Sequence, residues 1–159
     1  MRRSKQALSL SQCLDILGKA TSGVLCLTGE QGPYGVPMSY ALMDKERIYF
    51  HCAREGEKVR LIQKDPRAAF TVIFRDDVQK DQLTTFFQSV ISRGLIRFVE
   101  DEKEKVAALR LLASRYGCRN GSFVKEEISR YFEKVLVLRM DIQEMTGKQA
   151  RELVGCDAV

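Results

Sequence analysis

The sequence predicts a mainly β domain: about six antiparallel strands curled into a small barrel, with helices at its periphery. Three observations carry this. Apolar, β-branched and aromatic segments recur at residues 22–28, 34–43, 48–51, 68–74, 85–99 and 134–142. Most neighbours are joined by short polar or glycine-bearing connections, which suit antiparallel pairing. The segment 85–99 is too long to stay flat in one domain of 159 residues, and closing the sheet removes its exposed edges. The whole chain, 1–159, reads as one domain, with no internal repeat, linker or low-complexity segment.

The chain opens with a helix over 8–20. Ser9 and Gln12 form a capping box, Leu8 and Cys13 occupy the positions of a hydrophobic staple, and Leu10, Cys13, Leu14 and Leu17 share a face. Residues 22–28 have few polar side chains and read as a buried strand; 29–33 form a hairpin loop before a strand over 34–43. Pro37 cannot donate to a ladder, so that strand belongs at an edge, at a bulge or against a ligand. The polar turn 44–47 leads to strand 48–51, and the three strands suggest a meander. Helix 57–64 ends at Asp65-Pro66, because proline disfavours helical backbone in the residue before it. After strand 68–74, the charged residues 75–82 suggest an exposed loop, and Gly94 suggests a bend within strand 85–99. A helix over 101–116 has Asp101 as its cap, an apolar stripe of Val106, Leu109, Leu112, Ala113 and Tyr116, and Gly117 as its stop. Residues 118–121 read as a loop, Ser122 as the cap of a short helix to Arg130, and 134–142 as the last strand, followed by a polar tail.

Composition removes several function classes. Hydrophobic residues make up 45% and charged residues 30%, as in an ordinary soluble domain. No apolar run approaches the roughly 20 residues of a membrane-spanning helix, and the basic N-terminus lacks the apolar segment of a signal peptide, which points to the cytoplasm. The five cysteines, Cys13, Cys26, Cys52, Cys118 and Cys156, include no Cys-x-x-Cys pair; with a single histidine they offer no metal set and read as free, mostly buried thiols. The formal net charge of +5 favours anionic ligands, but the chain has neither a dense Lys/Arg run nor aromatic residues alternating with basic ones, so nucleic-acid binding lacks support.

The chain is organised around residues 48–70, IYFHCAREGEKVRLIQKDPRAAF. A strand delivers the only histidine, His51, then small Cys52 and Ala53, and a helix begins after Gly56 with Lys58 in its first turn. Unpaired backbone N–H groups, the helix dipole and a lysine together form an anion site, and Gly56 lets the backbone approach closely. This elbow is the place predicted to hold a phosphate.

Four segments, in order, resemble the pyridoxamine 5′-phosphate oxidase-like FMN-binding split barrels, in the branch that includes the 5-nitroimidazole reductases. PYGVPMSY (33–40) is similar to the family's Pro-Tyr-x-x-Pro-x-x-Tyr strand, and the elbow to its aromatic-His-small-Ala…Gly-x-Lys…Pro block. Ser89-Val90-Ile91-Ser92-Arg93-Gly94 is similar to a Ser-Val-x-x-x-Gly strand, and Thr146-Gly147-Lys148 to a Thr/Ser-Gly-Lys terminus. The resemblance spans residues 14–148. It implies a six-stranded antiparallel split barrel and a homodimer with FMN in clefts between subunits. It further implies that Val36, Pro37, Met38, Ser39 and Tyr40 line the flavin, and that His51, Cys52 and Ala53 lie by the ribityl chain and phosphate. Lys58 would pair with the phosphate, Ser89 and Val90 would touch the ring or phosphate, and Lys148 would sit at the site's edge. His51 is also the candidate catalytic residue. Two departures stand out: Cys52 replaces a smaller Ser or Gly, and Phe87-Gln88 precedes Ser89 where an aromatic or basic residue nearer the serine is expected. The oxidase's own substrate-binding Arg and His pattern near the C-terminus is absent, so vitamin B6 oxidation is not expected.

The expectation is an FMN-dependent oxidoreductase acting on a small molecule, in which the flavin carries the chemistry and the protein binds and orients. The chain has no Gly-x-Gly-x-x-Gly to hold NAD separately. The alternative is a non-catalytic flavin- or haem-binding carrier or sensor, with His51 as axial ligand. A β-barrel that binds nucleic acid is the third reading, and it would show steep salt dependence.

Overall fold

The computed structural model describes residues 4–118 and 120–155; Cys156 and Arg119 lie outside them. Its centre is one antiparallel sheet of eight strands, in the order β3-β2-β6-β7-β8-β5-β4, with the two-residue β1 added to β8. The strands are β1 (Ala7–Leu8), β2 (Ser22–Gly29), β3 (Gly32–Ser39), β4 (Ala41–Met43), β5 (Arg47–Ala53), β6 (Arg67–Gln79), β7 (Thr84–Phe98) and β8 (Val135–Gln149). Four α-helices among the described residues flank it: α1 (Leu10–Lys19), α2 (Glu57–Lys64), α3 (Glu102–Arg115) and α4 (Gly121–Tyr131).

The predicted meander is replaced by a split. Strand 34–43 breaks at Tyr40, so β3 and β4 lie at opposite ends of the sheet although one residue separates them. Tyr40 is 1% exposed, packs edge-on against Phe70 with ring centroids 4.8 Å apart, and donates its hydroxyl to the Leu17 carbonyl at 2.8 Å. Holding that ring in the core turns the chain from one sheet end to the other. The ends meet at this corner without a ladder between them, which makes the barrel a split one. β3 pairs only with β2, so Pro37 does sit on an edge strand.

Two further segments differ from expectation. Residues 75–79 are not a loop: they continue β6 and pair with 84–88 as a ribbon beyond the core, where a polar strand satisfies its backbone without burying its side chains. Residues 143–149 are not a tail: they carry β8 onward to pair with β7 and β1. Gly147 is required there, because a Cβ would lie 2.4 Å from Cys13 Sγ and 2.9 Å from Leu8 Cβ. The bend at Gly94 is a register shift between Arg93 and Gly94 on β7. The Ser9–Gln12 capping box and the Asp101 cap are present; α4 is capped by Asn120, which accepts from the Phe123 amide at 3.1 Å, rather than by Ser122.

The barrel interior is filled by Leu25, Ile48, Phe50, Phe70, Val72, Val90, Ile96, Leu138 and Met140, closed at one end by Leu17 of α1 and by Leu61 and Ile62 of α2. A second cluster, Tyr49, Ala108 and Val137, docks α3 on the outside of β5 and β8. A polar latch covers it. Glu104 Oε1 accepts from the Tyr49 hydroxyl at 2.6 Å and from Arg139 Nη1 at 2.8 Å, and Arg139 also pairs with Asp141 at 2.9 Å.

Candidate functional site

β5 delivers His51, Cys52 and Ala53 to the elbow, the chain turns at Gly56 (φ 132°), and α2 begins at Glu57. A positive φ here suits glycine alone. Gly56 offers no side chain to cap the helix, so the Glu57 and Lys58 amides keep their donor capacity, while the Val59 amide donates to the Gly56 carbonyl at 3.1 Å. Glu57 pairs forward with Arg60 at 2.5 Å, while Lys58, half-buried, makes no ion pair among the described residues. Arg54 ties the elbow to the start of β8 by donating to the Glu133 carbonyl at 2.9 Å. The Cys52 side chain points into the barrel; burial pushes its thiol up, and the nearby Lys58 ammonium pulls partly back. An unpaired cation beside an uncapped helix start fits a phosphate dianion.

His51 points the other way from Phe50 and Cys52, as alternation along β5 demands. It lines a cleft of about 400 Å³ between the sheet and helices α3 and α4, with Leu112, Tyr116, Phe123, Ile128 and Tyr131 among its walls. Nδ1 of His51 is buried without a hydrogen-bond partner, and burial lowers the imidazole's pKa, so the ring is neutral at pH 7. None of the residues of α4 is buried, and Phe123 is 52% exposed: its apolar side borders the cleft.

The other predicted residues divide by face. Val36 and Met38 pack against the barrel core, and Val90 and Tyr40 lie within it. Their neighbours in sequence, Pro37, Ser39 and Ser89, therefore face outward. Lys148 is opposite Ser89 in the ladder and shares that face, its Nζ 5.5 Å from the Phe87 ring centre. The cross-strand row Pro37, Val24, Thr71, Ile91 and Thr146 continues it. This sheet face is open: Val24 and Ile91 are each 37% exposed and Ile73 66%. The structure thus separates the predicted residues into an elbow (Ala53, Lys58), a helix-covered cleft (His51), an open sheet face (Pro37, Ser39, Ser89, Lys148) and the interior (Val36, Met38, Tyr40, Cys52, Val90). Among the described residues no three His, Cys, Asp or Glu side chains cluster as a metal set, and no helix is long and apolar enough to cross a membrane.

Sequence reasoning quoted Ile91 and Thr146 within motifs but gave neither a site role, and it gave Ile73 none. A period-two count outward from Ser89 marks Ile91, but only the register marks its partners. It also left Tyr116 and the α4 residues out of any site. The spacing of Phe123, Val124, Ile128 and Tyr131 marks an apolar helix side, yet not the wall it faces.

Comparison with known proteins bears on this arrangement. Residues 9–149 match the family described as pyridoxamine 5′-phosphate oxidase. No curated protein matches. Among solved structures, a Bacteroides thetaiotaomicron protein assigned provisionally to 5-nitroimidazole antibiotic resistance is 22% identical, with 89% of this chain and 85% of that one covered at a TM-score of 0.73. A FAD and haem binding protein from Mycobacterium smegmatis is 17% identical, covering 98% and 81%, at 0.75. A FAD-binding protein from Mesorhizobium loti is 21% identical, covering 91% and 97%, at 0.67. Likenesses at these identities show the shared fold.

Proposed function

The chain belongs to the pyridoxamine 5′-phosphate oxidase family, and on that footing we propose that it is a flavoprotein: an FMN-dependent oxidoreductase acting on a small molecule, working as a cytoplasmic homodimer. The observation that carries this reading is the elbow, where Lys58 makes no ion pair among the described residues and lies beside the uncapped start of α2. Lys58 and the first-turn amides would hold the phosphate. Neutral His51 would meet the ring or the substrate with an imidazole able to accept or donate one hydrogen bond. FMN, when bound, supplies hydride or electron transfer. The candidate acceptors are a nitroaromatic compound, a quinone or another small molecule, with a reduced nicotinamide as donor.

The dimer reading rests on the open sheet face. A row of exposed apolar side chains on a β-face, edged by both signs of charge in Arg93–Glu144 and Arg75–Asp77, is what a self-complementary two-fold contact needs. Sedimentation should report twice the chain mass of 18.1 kDa. The flavin reading is tested by absorption and by titration of purified protein with FMN and with riboflavin, which lacks the phosphate. Lys58→Ala should weaken FMN about tenfold or more and leave riboflavin unchanged, the loss of a charge-assisted bond. A colourless protein that takes up neither flavin sinks the proposal.

A second reading is favoured by one observation: His51 stands at the wall of an apolar cleft with an unpartnered ring nitrogen, the setting of an axial haem ligand. A non-catalytic haem or flavin carrier would then be the function. A haem Soret band that disappears in His51→Ala would establish His51 as a haem ligand; flavin bands alone would remove the haem form of this reading, and turnover of an electron acceptor would remove the flavin-carrier form.

A further inference from the structure

A second hollow, a groove of about 390 Å³, lies between α3 and α4. Among the described residues only Ile128 borders both it and the His51 cleft, so the two open on different sides of α4. Helical spacing builds the groove. Val106 and Arg110 stand four apart on α3, and Lys125, Ser129 and Phe132 stand four and three apart on α4, so each helix presents one stripe. Val106, Ile128 and Phe132 supply an apolar floor, and all three are only half-buried. A helix as short as α4 owes its stability to the packing of an apolar face, yet none of its residues is buried.

The rim of the groove is cationic. Arg110 and Lys125 are exposed, and neither makes an ion pair among the described residues. Their own helices offer them no acid: three and four residues away from each stand only Val, Ala, Gly, Ser and Ile. Glu127 is engaged elsewhere, with Arg130 at 3.7 Å, and Glu133 is the single acid on the groove's wall. Beneath the floor lies a third cation. Lys105 is 8% exposed; its Nζ donates to the Phe132 carbonyl at 2.6 Å and sits 4.2 Å from the centre of the Phe132 ring. No carboxylate pairs with it among the described residues. The ring that floors the groove thus covers a charge that no acid neutralises. Three cations against one acid leave the groove positive, and the formal net charge of +5 extends its attraction for anions.

We propose that this groove docks an acidic segment of a partner protein, with apolar side chains on Val106, Ile128 and Phe132 and flanking carboxylates on Arg110 and Lys125. The combination of floor and rim selects that occupant. The phosphates of a nucleic acid would use the cations but leave an aliphatic floor that offers its bases little to stack on. A small inorganic anion would leave the floor uncovered. An acidic segment with apolar side chains satisfies both, as charge-matched interfaces with an apolar centre do. The inference stands apart from the flavin reading, because Arg110, Lys125 and Lys105 have no part in the elbow or the His51 cleft.

The test is fluorescence anisotropy of fluorescein-labelled peptides titrated with the purified full chain. Glu-Glu-Leu-Phe-Glu-Glu is the probe. Gln-Gln-Leu-Phe-Gln-Gln removes its charge, and Glu-Glu-Ser-Gly-Glu-Glu removes its apolar side chains. The parent should bind the probe about tenfold or more tightly than either control, the difference expected from charge-assisted contacts on the rim or from side chains buried on the floor. A labelled single-stranded DNA should bind no better than the controls. Arg110→Gln/Lys125→Gln should bring the probe down to its neutral control while melting with the parent. Lys45→Gln/Lys80→Gln removes the same charge from other exposed positions and should change probe binding by less than about twofold. Equal affinity of the parent for the probe and either control overturns the proposal, as does DNA binding as tight as the probe's. So does probe binding that Arg110→Gln/Lys125→Gln leaves intact, or that both double variants weaken equally.

Discussion

Replacing Glu104 by alanine removes the carboxylate that latches α3 to the sheet. The Tyr49 hydroxyl, on a side chain with no solvent exposure, then loses its acceptor at 2.6 Å. Stranding such a group costs about 1–3 kcal/mol. Arg139 loses one of its two carboxylates but keeps Asp141, which adds about 1 kcal/mol. The Glu104 and Arg139 side chains are 27% and 19% exposed, so solvent screens the pair only in part. A loss of about 3 kcal/mol should lower Tm by about 6–12 °C for a chain of this size. The pH dependence has a definite sign. The Tyr49 hydroxyl first, then Arg139, hold the Glu104 carboxyl below its usual range, against the opposing effect of burial. Its folded pKa therefore lies under the unfolded value of about 4.3. The stability it contributes is complete at neutral pH, present above about pH 4.3, and lost as pH falls through the folded pKa. The gap between parent and Glu104→Ala should be the same at pH 7 and pH 6 and narrow below about pH 4, where the neutral carboxyl still accepts from Tyr49 but no longer pairs with Arg139. In a Tyr49→Phe background the same substitution should cost less, since the shared bond is already gone. A variant that melts with the parent at pH 7, or a gap that persists unchanged into strong acid, refutes the latch.

Two further expectations follow from geometry. In Gly94→Ala the added Cβ would lie 1.9 Å from the Asp141 carbonyl oxygen and 2.9 Å from its carbon, both backbone, so β8 must shift; the denaturation midpoint should fall by an equivalent of about 1–3 kcal/mol or more, and an unmoved midpoint would show that the bulge adapts freely. Burial depresses the His51 pKa below its unfolded value, so the unfolded chain binds the extra proton. Stability should accordingly rise with pH up to about 6.5 and level off above it, a slope that His51→Gln removes; a parent whose urea midpoint is flat from pH 5 to pH 8 contradicts the burial argument.

Much of this molecule was legible from local pattern. The capping box at Ser9 and Gln12, the Asp101 cap, helix 57–64 and the bend at Gly94 all rest on interactions within a few residues or on one residue's steric character. What stayed hidden depends on pairing. Residues 75–79 are polar apart from Val78, and nothing in their composition distinguishes a solvated ribbon from a loop; only the ladder to 84–88 does. The break at Tyr40 is invisible along the chain because its cause, the Phe70 ring and the Leu17 carbonyl, is remote in sequence. At the candidate site, Gly56 and Lys58 announced the elbow by chemistry and spacing. Arg115 looked like an ordinary residue in the last turn of a helix, because the carbonyls it donates to, on Gly18 and Ala20, lie far along the chain.

Strand β8 pairs with β1, β5 and β7 and, among the described residues, alone joins β3-β2-β6-β7 to β5-β4. During synthesis, then, the emerging chain holds two unconnected half-sheets until residues 135–149 leave the ribosome. At about 5–20 residues per second, the β2–β3 and β4–β5 hairpins exist for several seconds with their apolar faces unmatched. The two half-sheets are thus joined by one strand late in the sequence, and until it pairs their apolar faces and strand edges are open to other chains.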